Sequence, residues 1–130
     1  MKIDWKKAPD VKKKINRIIT KAGLDWIKHS SIYCFRSTHA QTRACARIWG
    51  LSRIWQQTLK LKPAYIIEVI AERFDRLSLR DQEKVLLHEL AHIPKNFSGA
   101  LVPHIRRGRR KFSDKVKRYE SNYFTRRLFN

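Results

Sequence analysis

The segment 78–94 constrains the fold most, because it combines a helix start, an apolar stripe and a helix stop. Ser78 is a favourable N-cap residue, and Asp81 stands three positions later in the place of the usual capping-box glutamate. The residues that follow, LRDQEKVLLHELAHI, predict a helix that runs to about Ile93 and stops at Pro94. Apolar residues fill the second half of this helix, at Val85, Leu86, Leu90 and Ala91. We therefore expect the helix to be buried.

The same helix contains an HExxH pattern, formed by His88, Glu89 and His92. Residues four positions apart lie on one side of a helix, one turn apart, so the two imidazoles can hold one Zn²⁺. Glu89 cannot easily enter the same coordination shell, but it can reach a water held by the metal and act as its base. The pattern predicts a zinc-dependent metallopeptidase with one Zn²⁺ per chain and a protein or peptide substrate. A zinc hydrolase of another kind, such as an amidase, would use the same residues.

A catalytic zinc usually needs a third protein ligand and one open position. His104 is the first candidate, because the loop after the helix can turn back to the metal, and Glu120 on the last predicted helix is the alternative. A fourth ligand, from Glu120 or a cysteine, would instead indicate a basic nucleic-acid-binding protein with a structural zinc. A second, structural zinc site could be formed only by His29, Cys34, His39 and Cys45. The spacing of these residues fits no compact zinc knuckle.

Periodicity elsewhere predicts a mixture of helices and strands. One helix is predicted to follow the N-cap Asp10 and to run to about Ala22, and others are predicted at 38–49 and 112–127. Strands are predicted at 31–36, 53–61 and 64–70, the last two as antiparallel neighbours. The fold class that follows is α+β and zincin-like. It has a small, mainly antiparallel sheet packed on the HExxH helix, with flanking N- and C-terminal helices.

The length of 130 residues fits a single domain, 1–130, in which 1–28 and 106–130 are basic helical extensions. The chain has no apolar run of membrane-spanning length, and its N-terminus lacks the apolar region of a signal peptide, so we expect a cytoplasmic protein. Two cysteines are too few for a disulfide framework.

Charge is the second informative property, because 30 Lys and Arg against 11 Asp and Glu give a net charge of +19. Such an excess favours an anionic partner, most simply nucleic acid. Five basic residues that follow the proposed third ligand could hold phosphates, or could be a solvated loop: Arg106, Arg107, Arg109, Arg110 and Lys111.

Two further interpretations concern aromatic residues and the sheet. Trp49 and Trp55 flank Arg53 and could stack on bases, but we interpret them as core residues. Strand 64–70 precedes the HExxH helix, and we expect it to run along the cleft and to pair with an extended substrate.

The sequence HELAHIPKNFSGALVPH at 88–104 resembles the phage-type metallopeptidases, a group also found in archaea, in which HELxHIP is followed by a short loop and a PH dipeptide. The resemblance extends upstream through ARIWGLSRIWQQTLKLKPAYIIEVIAERFDRLS and covers about residues 34–106. It implies a reaction class but no particular substrate.

Carried onto this sequence, the resemblance implies that His88, His92 and His104 are zinc ligands and that Glu89 is the catalytic base. The layout is more distantly similar to SprT-like proteases, which act on proteins crosslinked to DNA and also place a late histidine after HExxH. This chain departs from them, because His104 is followed by Ile105 instead of glycine and no four-cysteine zinc ribbon follows.

Overall fold

The computed structural model describes residues 1–104 and 112–129. Its four strands are β1 (Asp4–Lys7), β2 (Ile32–Thr38), β3 (Ala46–Gly50) and β4 (Tyr65–Ile70). Its helices are α1 (Pro9–Ala22), α2 (Arg53–Leu59), α3 (Ala71–Phe74), α4 (Leu79–Leu90) and α5 (Phe112–Phe129), with a 3-10 turn at His29–Ser31. Within these ranges, none of the helices is long and apolar enough to cross a membrane.

The four strands form one sheet in the order β1-β2-β4-β3. β1 pairs with β2 and β3 pairs with β4 in antiparallel fashion, whereas β2 and β4 are parallel. The predicted fold class is confirmed. The molecule is α+β, with a small, mainly antiparallel sheet packed on the HExxH helix and with helices from both ends of the chain beside it.

The first helix forms largely as its sequence predicts. Five apolar side chains at helical spacing are buried: Val11, Ile15, Ile18, Ile19 and Ala22. Gly23 ends the helix in the left-handed region with a φ of 69°, as a C-cap glycine does. The prediction of Asp10 as N-cap is wrong, because Ala8 is the N-cap, Pro9 occupies the first helical position and Asp10 lies in the first turn.

The prediction that residues 1–28 are a helical extension is wrong for their first part. Asp4–Lys7 form an edge strand, in which Lys7 pairs with Phe35 and Asp4 with Thr38. Ala8 has an extended φ of −120°, as is usual before a proline, so the chain leaves β1 and enters α1 at this residue. Pairing with β2, which lies far along the chain, decides the conformation of this segment.

The predictions for the segment 38–61 are wrong, because a helix and a strand were exchanged. The predicted helix at 38–49 is the end of β2, a loop and β3, and His39 has a left-handed φ of 63° that excludes a continuous helix there. The predicted strand at 53–61 is α2. The antiparallel partner of β4 is therefore β3, in which Ala46 pairs with Val69.

The helices α1, α4 and α5 pack on one another, and α1 and α4 contact one face of the sheet, at β2 and β3. The sheet contributes its alternate, inward-facing residues to this core, for example Ile32, Cys34, Ile67 and Val69. On the opposite face Trp49 is 49% exposed, and Trp55 in α2 is 55% exposed. The interpretation of these two tryptophans as core residues is therefore wrong.

Candidate metal centre

The helix α4 fixes His88 and Glu89 in space. The Ser78 Oγ accepts a hydrogen bond from the Asp81 N–H at 3.2 Å, so the predicted N-cap is confirmed. The helix ends at Leu90, three residues before the predicted end, and its last turn tightens: the His92 N–H donates to the Glu89 carbonyl at 3.1 Å. Because the side chains of Leu86, Leu87 and Leu90 are fully buried, the position of the helix is well determined by packing.

A network of hydrogen bonds shapes the loop that brings His104 to this helix. The Tyr65 hydroxyl of β4 accepts from the Gly99 N–H and donates to the Ala100 carbonyl, both at 2.8 Å. Gly99 has a φ of +95°, and a Cβ on it would lie 2.3 Å from the Leu51 carbonyl oxygen, so only glycine fits.

Two hydrogen bonds then join the loop to His92. The Val102 N–H donates to the His92 carbonyl at 2.7 Å, and the Val102 carbonyl lies 2.5 Å from the His92 Nδ1. The second bond assigns the proton to Nδ1 and leaves the Nε2 lone pair free, as in histidines that bind metals. His104 lies two residues after Val102, so these two bonds direct it toward α4.

The three histidines converge through their Nε2 atoms. The His104 Nε2 lies 2.9 Å from that of His88 and 3.1 Å from that of His92, and all three ligand atoms lie within 4.8 Å of one another. Three Nε2 ligands of a tetrahedral zinc would lie roughly 3.3 Å apart, given Zn–N distances of about 2.0–2.1 Å. The structure therefore brings together a group that could hold a metal ion.

The protonation states of these side chains suit a metal. Burial, and then the neighbouring His92 and His104, lower the pKa of His88 to about 4. Burial also lowers the pKa of His92, although the hydrogen bond to Val102 opposes the change. Neutral imidazoles at neutral pH are the form that binds a cation.

Glu89 lies beside this group without belonging to it. Its side chain is buried, and its Oε2 is 4.0 Å from the His88 Nε2. Burial raises the pKa of Glu89 to about 7, which is close to the value that suits a general base at neutral pH.

Phe112 is a site residue that the sequence analysis missed. This first residue of α5 is 3% exposed, and its ring stacks on His92 with 4.4 Å between centroids. It also contacts the rings of His88 and His104, at 5.1 and 5.2 Å. An apolar wall of this kind limits the access of water to the histidines. The sequence marks Phe112 only as the start of a helix.

A cleft of about 590 Å³ opens beside His88, Glu89 and His104. Residues of β3 form one wall, and Val116 and Glu120 of α5 form another. Glu120 thus lines the cleft, but neither it nor any other described carboxylate or cysteine joins the three convergent histidines.

The cleft corrects the prediction about substrate pairing. β4 lies inside the sheet between β2 and β3, so it has no free edge for a substrate strand. The strand at the edge of the sheet beside the cleft is β3.

The remaining candidate residues lie elsewhere. The basic cluster Arg106, Arg107, Arg109, Arg110 and Lys111 lies outside the described residues. Among the described residues, His29, Cys34, His39 and Cys45 do not form a metal-binding group.

Taken together, the fold and the histidines define a small α+β protein with a site that could hold one metal ion. The model of one protein family, described as "Putative phage metallopeptidase", matches residues 3–130. The chain therefore belongs to this family of phage metallopeptidases, in agreement with the resemblance found in the sequence. No curated protein and no solved structure matches the chain.

Proposed function

We propose that this metallopeptidase is a zinc enzyme in which His88, His92 and His104 hold the ion and Glu89 is the catalytic base. The observation that carries the proposal is the convergence of the three Nε2 atoms, with the Glu89 carboxylate 4.0 Å from one of them. An all-imidazole ligand set suits zinc, and the absence of a fourth described ligand in the group leaves a position open.

The ion, when bound, would polarise the scissile carbonyl and lower the pKa of water in the cleft. Glu89 takes the proton from the attacking water and later delivers it to the leaving amine. The Val102 carbonyl keeps His92 in the required tautomer. The ring of Phe112 limits the entry of bulk water from its side.

The edge strand β3 would hold the substrate. An extended peptide in the cleft can pair with its free backbone groups, which gives binding with little sequence preference. This geometry supports cleavage of unfolded or loosely folded segments, because only these can add a strand.

Metal analysis by mass spectrometry tests the ligand set. We expect about one zinc per wild-type chain, and loss of zinc in His92→Ala and in His104→Ala. His29→Ala is the matched control, because His29 is exposed in the 3-10 turn and outside the group. Full zinc in His104→Ala would contradict the proposed third ligand, and Glu120→Gln would then be the next variant to analyse.

The role of Glu89 is tested separately with Glu89→Gln. This variant should keep its zinc and lose hydrolysis of a fluorogenic peptide library and of unfolded casein. An inactive wild type with a full complement of zinc, and loss of zinc in Glu120→Gln, would instead support the alternative of a nucleic-acid-binding protein with a structural zinc. Hydrolysis of small amides without cleavage of peptides would indicate a different zinc hydrolase.

Association with nucleic acid is an additional proposal, supported by the net charge of +19. The segment first predicted to carry it, at residues 106–111, lies outside the described residues, so the support is the charge of the whole chain.

A further inference from the structure

In the described part of the chain, no helix covers the row of aromatic side chains on the face of the sheet opposite α1, α4 and α5. Four side chains on this open face are strongly exposed: Trp5 53%, Tyr33 53%, Trp49 49% and Ile66 38%. Tyr33 and Trp49 both pair with Ile66, so the three side chains form one row across β2, β4 and β3. Large apolar side chains that remain exposed in a row usually mark a binding surface.

A groove runs along this row. Its volume is about 600 Å³, and it is lined by Tyr33, Phe35, Trp49, Leu61, Lys62 and Ile66. Neighbouring strands are about 4.8 Å apart, so the backbones of Tyr33 and Trp49 are roughly 10 Å apart on either side of Ile66. The groove therefore offers flat aromatic surfaces beside a lysine ammonium group.

The charge around the open face is entirely basic over a long segment. Between Asp25 and Glu68 the chain has no carboxylate. The same segment has seven basic residues, of which Arg36 is paired with Asp10 and Asp75 on the helix side of the sheet and Arg47 is paired with Glu68. The seven are Lys28, Arg36, Arg43, Arg47, Arg53, Lys60 and Lys62. On β1, Lys7 pairs with Phe35 and adds a further charge to the same face. A ligand that meets this surface must be anionic or neutral.

Glu68 is the one carboxylate at the centre of the described part of the face, and it is neutralised. It is 1% exposed, and it accepts hydrogen bonds from the Arg47 Nε and the Trp49 Nε1, both at 2.8 Å. The Arg47 guanidinium also lies 5.0 Å from the centre of the Trp49 ring. Glu68 therefore orients Trp49 and presents no negative charge to a ligand.

We infer that the open face of the sheet binds single-stranded nucleic acid, with bases stacked on Tyr33 and Trp49 and phosphates held by Lys7 and Lys62. Aromatic side chains on an exposed sheet, with basic residues at the margin, match the two requirements of such a ligand: stacking and charge neutralisation. A duplex hides the faces of its bases and would not use the aromatic row. A second copy of this chain would bring two basic surfaces together and repel.

Fluorescence anisotropy with a labelled 20-nucleotide oligothymidylate tests the inference, with a duplex of the same length as comparison. Tyr33→Ala should weaken binding of the single strand by roughly 5- to 150-fold, the range expected for loss of one base stack. The side chain is half-exposed, so the variant should fold, as circular dichroism will verify. Single-strand binding unchanged in folded Tyr33→Ala would overturn the inference, and so would a duplex that binds as tightly.

The location of the phosphate contacts is tested with two double variants of equal charge. Lys7→Ser with Lys62→Ser removes two charges from the open face, and Lys13→Ser with Arg17→Ser removes two from exposed positions of α1. The slope of log K against the logarithm of salt concentration should fall in magnitude by about 1.4 in the first double variant. The second double variant should change this slope by less. Equal effects would show that binding follows net charge alone. A concentration-dependent dimer that Tyr33→Ala dissociates would assign the face to self-association. Either result would overturn the inference.

Discussion

The hydroxyl of Tyr65 connects the sheet to the loop that carries His104, so Tyr65→Phe is a sharp test of how the site is built. Tyr65 is 1% exposed, and its hydroxyl holds the Gly99 N–H and the Ala100 carbonyl. Without the oxygen, the buried Gly99 N–H loses this partner, whereas Ala100 is exposed and its carbonyl can bond to water. Leaving one buried donor unsatisfied costs about 1–3 kcal/mol, so we expect unfolding free energy to fall by this amount.

The same substitution should also weaken metal binding. The ring keeps its edge contact with Phe97, at 5.0 Å between centroids, so the core should stay packed while the loop loses its anchor. Supporting residues of metal ligands typically change metal affinity by about 10- to 100-fold, and we expect a loss in this range.

Urea unfolding followed by circular dichroism measures the stability, and competition with a chelator measures zinc affinity. Tyr33→Phe is the matched control, because it removes the same oxygen from a half-exposed tyrosine of the adjacent strand. The control should change stability by less than about 0.5 kcal/mol. An unfolding midpoint and a zinc affinity for Tyr65→Phe equal to those of the wild type would refute the assignment of Tyr65 as a positioning residue.

Three further variants probe the core, a close backbone approach and a buried ion pair. Phe112→Ala should lower the unfolding free energy by about 3–5 kcal/mol, because it leaves a cavity against the three histidines; a loss below 1 kcal/mol in urea unfolding would contradict this packing. Gly50→Ala should destabilise by at least about 1 kcal/mol, because its Cβ would lie 2.0 Å from the Gly99 carbonyl oxygen, and wild-type thermal stability would refute the contact. Burial raises the pKa of Glu68, but hydrogen bonds from Arg47 and Trp49 outweigh it and hold the pKa below the ordinary 4.5. The stabilisation from Glu68 is therefore present above pH 4.5 and is lost as the pH falls through the lowered pKa. Glu68→Gln should remove this dependence of the unfolding free energy on pH. A curve of stability against pH that is unchanged in Glu68→Gln would contradict the stabilising role of the Glu68 carboxylate.

The part of the site that lies on α4 could be predicted because its determinants are local. Ser78 starts the helix, and the spacing of His88 and His92 places both imidazoles on one side. His104 was predicted only with an alternative, since its position depends on the bonds from Tyr65 to the loop and from Val102 to His92. These contacts join residues that are far apart along the chain and leave no periodic signal.

The exchange of helix and strand in the segment 38–61 has a physical explanation. Ile54, Trp55, Thr58 and Leu59 have the spacing of a helix face, but β-branched and aromatic residues also favour strands. In β3 the opposite error occurred. Ala44 and Ile48 are spaced as in a helix, but pairing with β4 makes residues 46–50 a strand. Local preference was weak in both elements, so the tertiary partner decided.

The location of the exposed aromatic residues follows from the number of layers that the chain can build. Trp49 and Tyr33 are large and apolar, and composition alone favours a core position for such residues. However, α1 and α4 pack on the same face of the sheet, and α5 packs on these two helices. In the described part of the chain the opposite face has no comparable helical layer. A residue on that face is exposed however apolar it is. The placement of the helices thus decides whether an aromatic side chain belongs to the core or to a binding surface. The local sequence of one strand does not determine this placement.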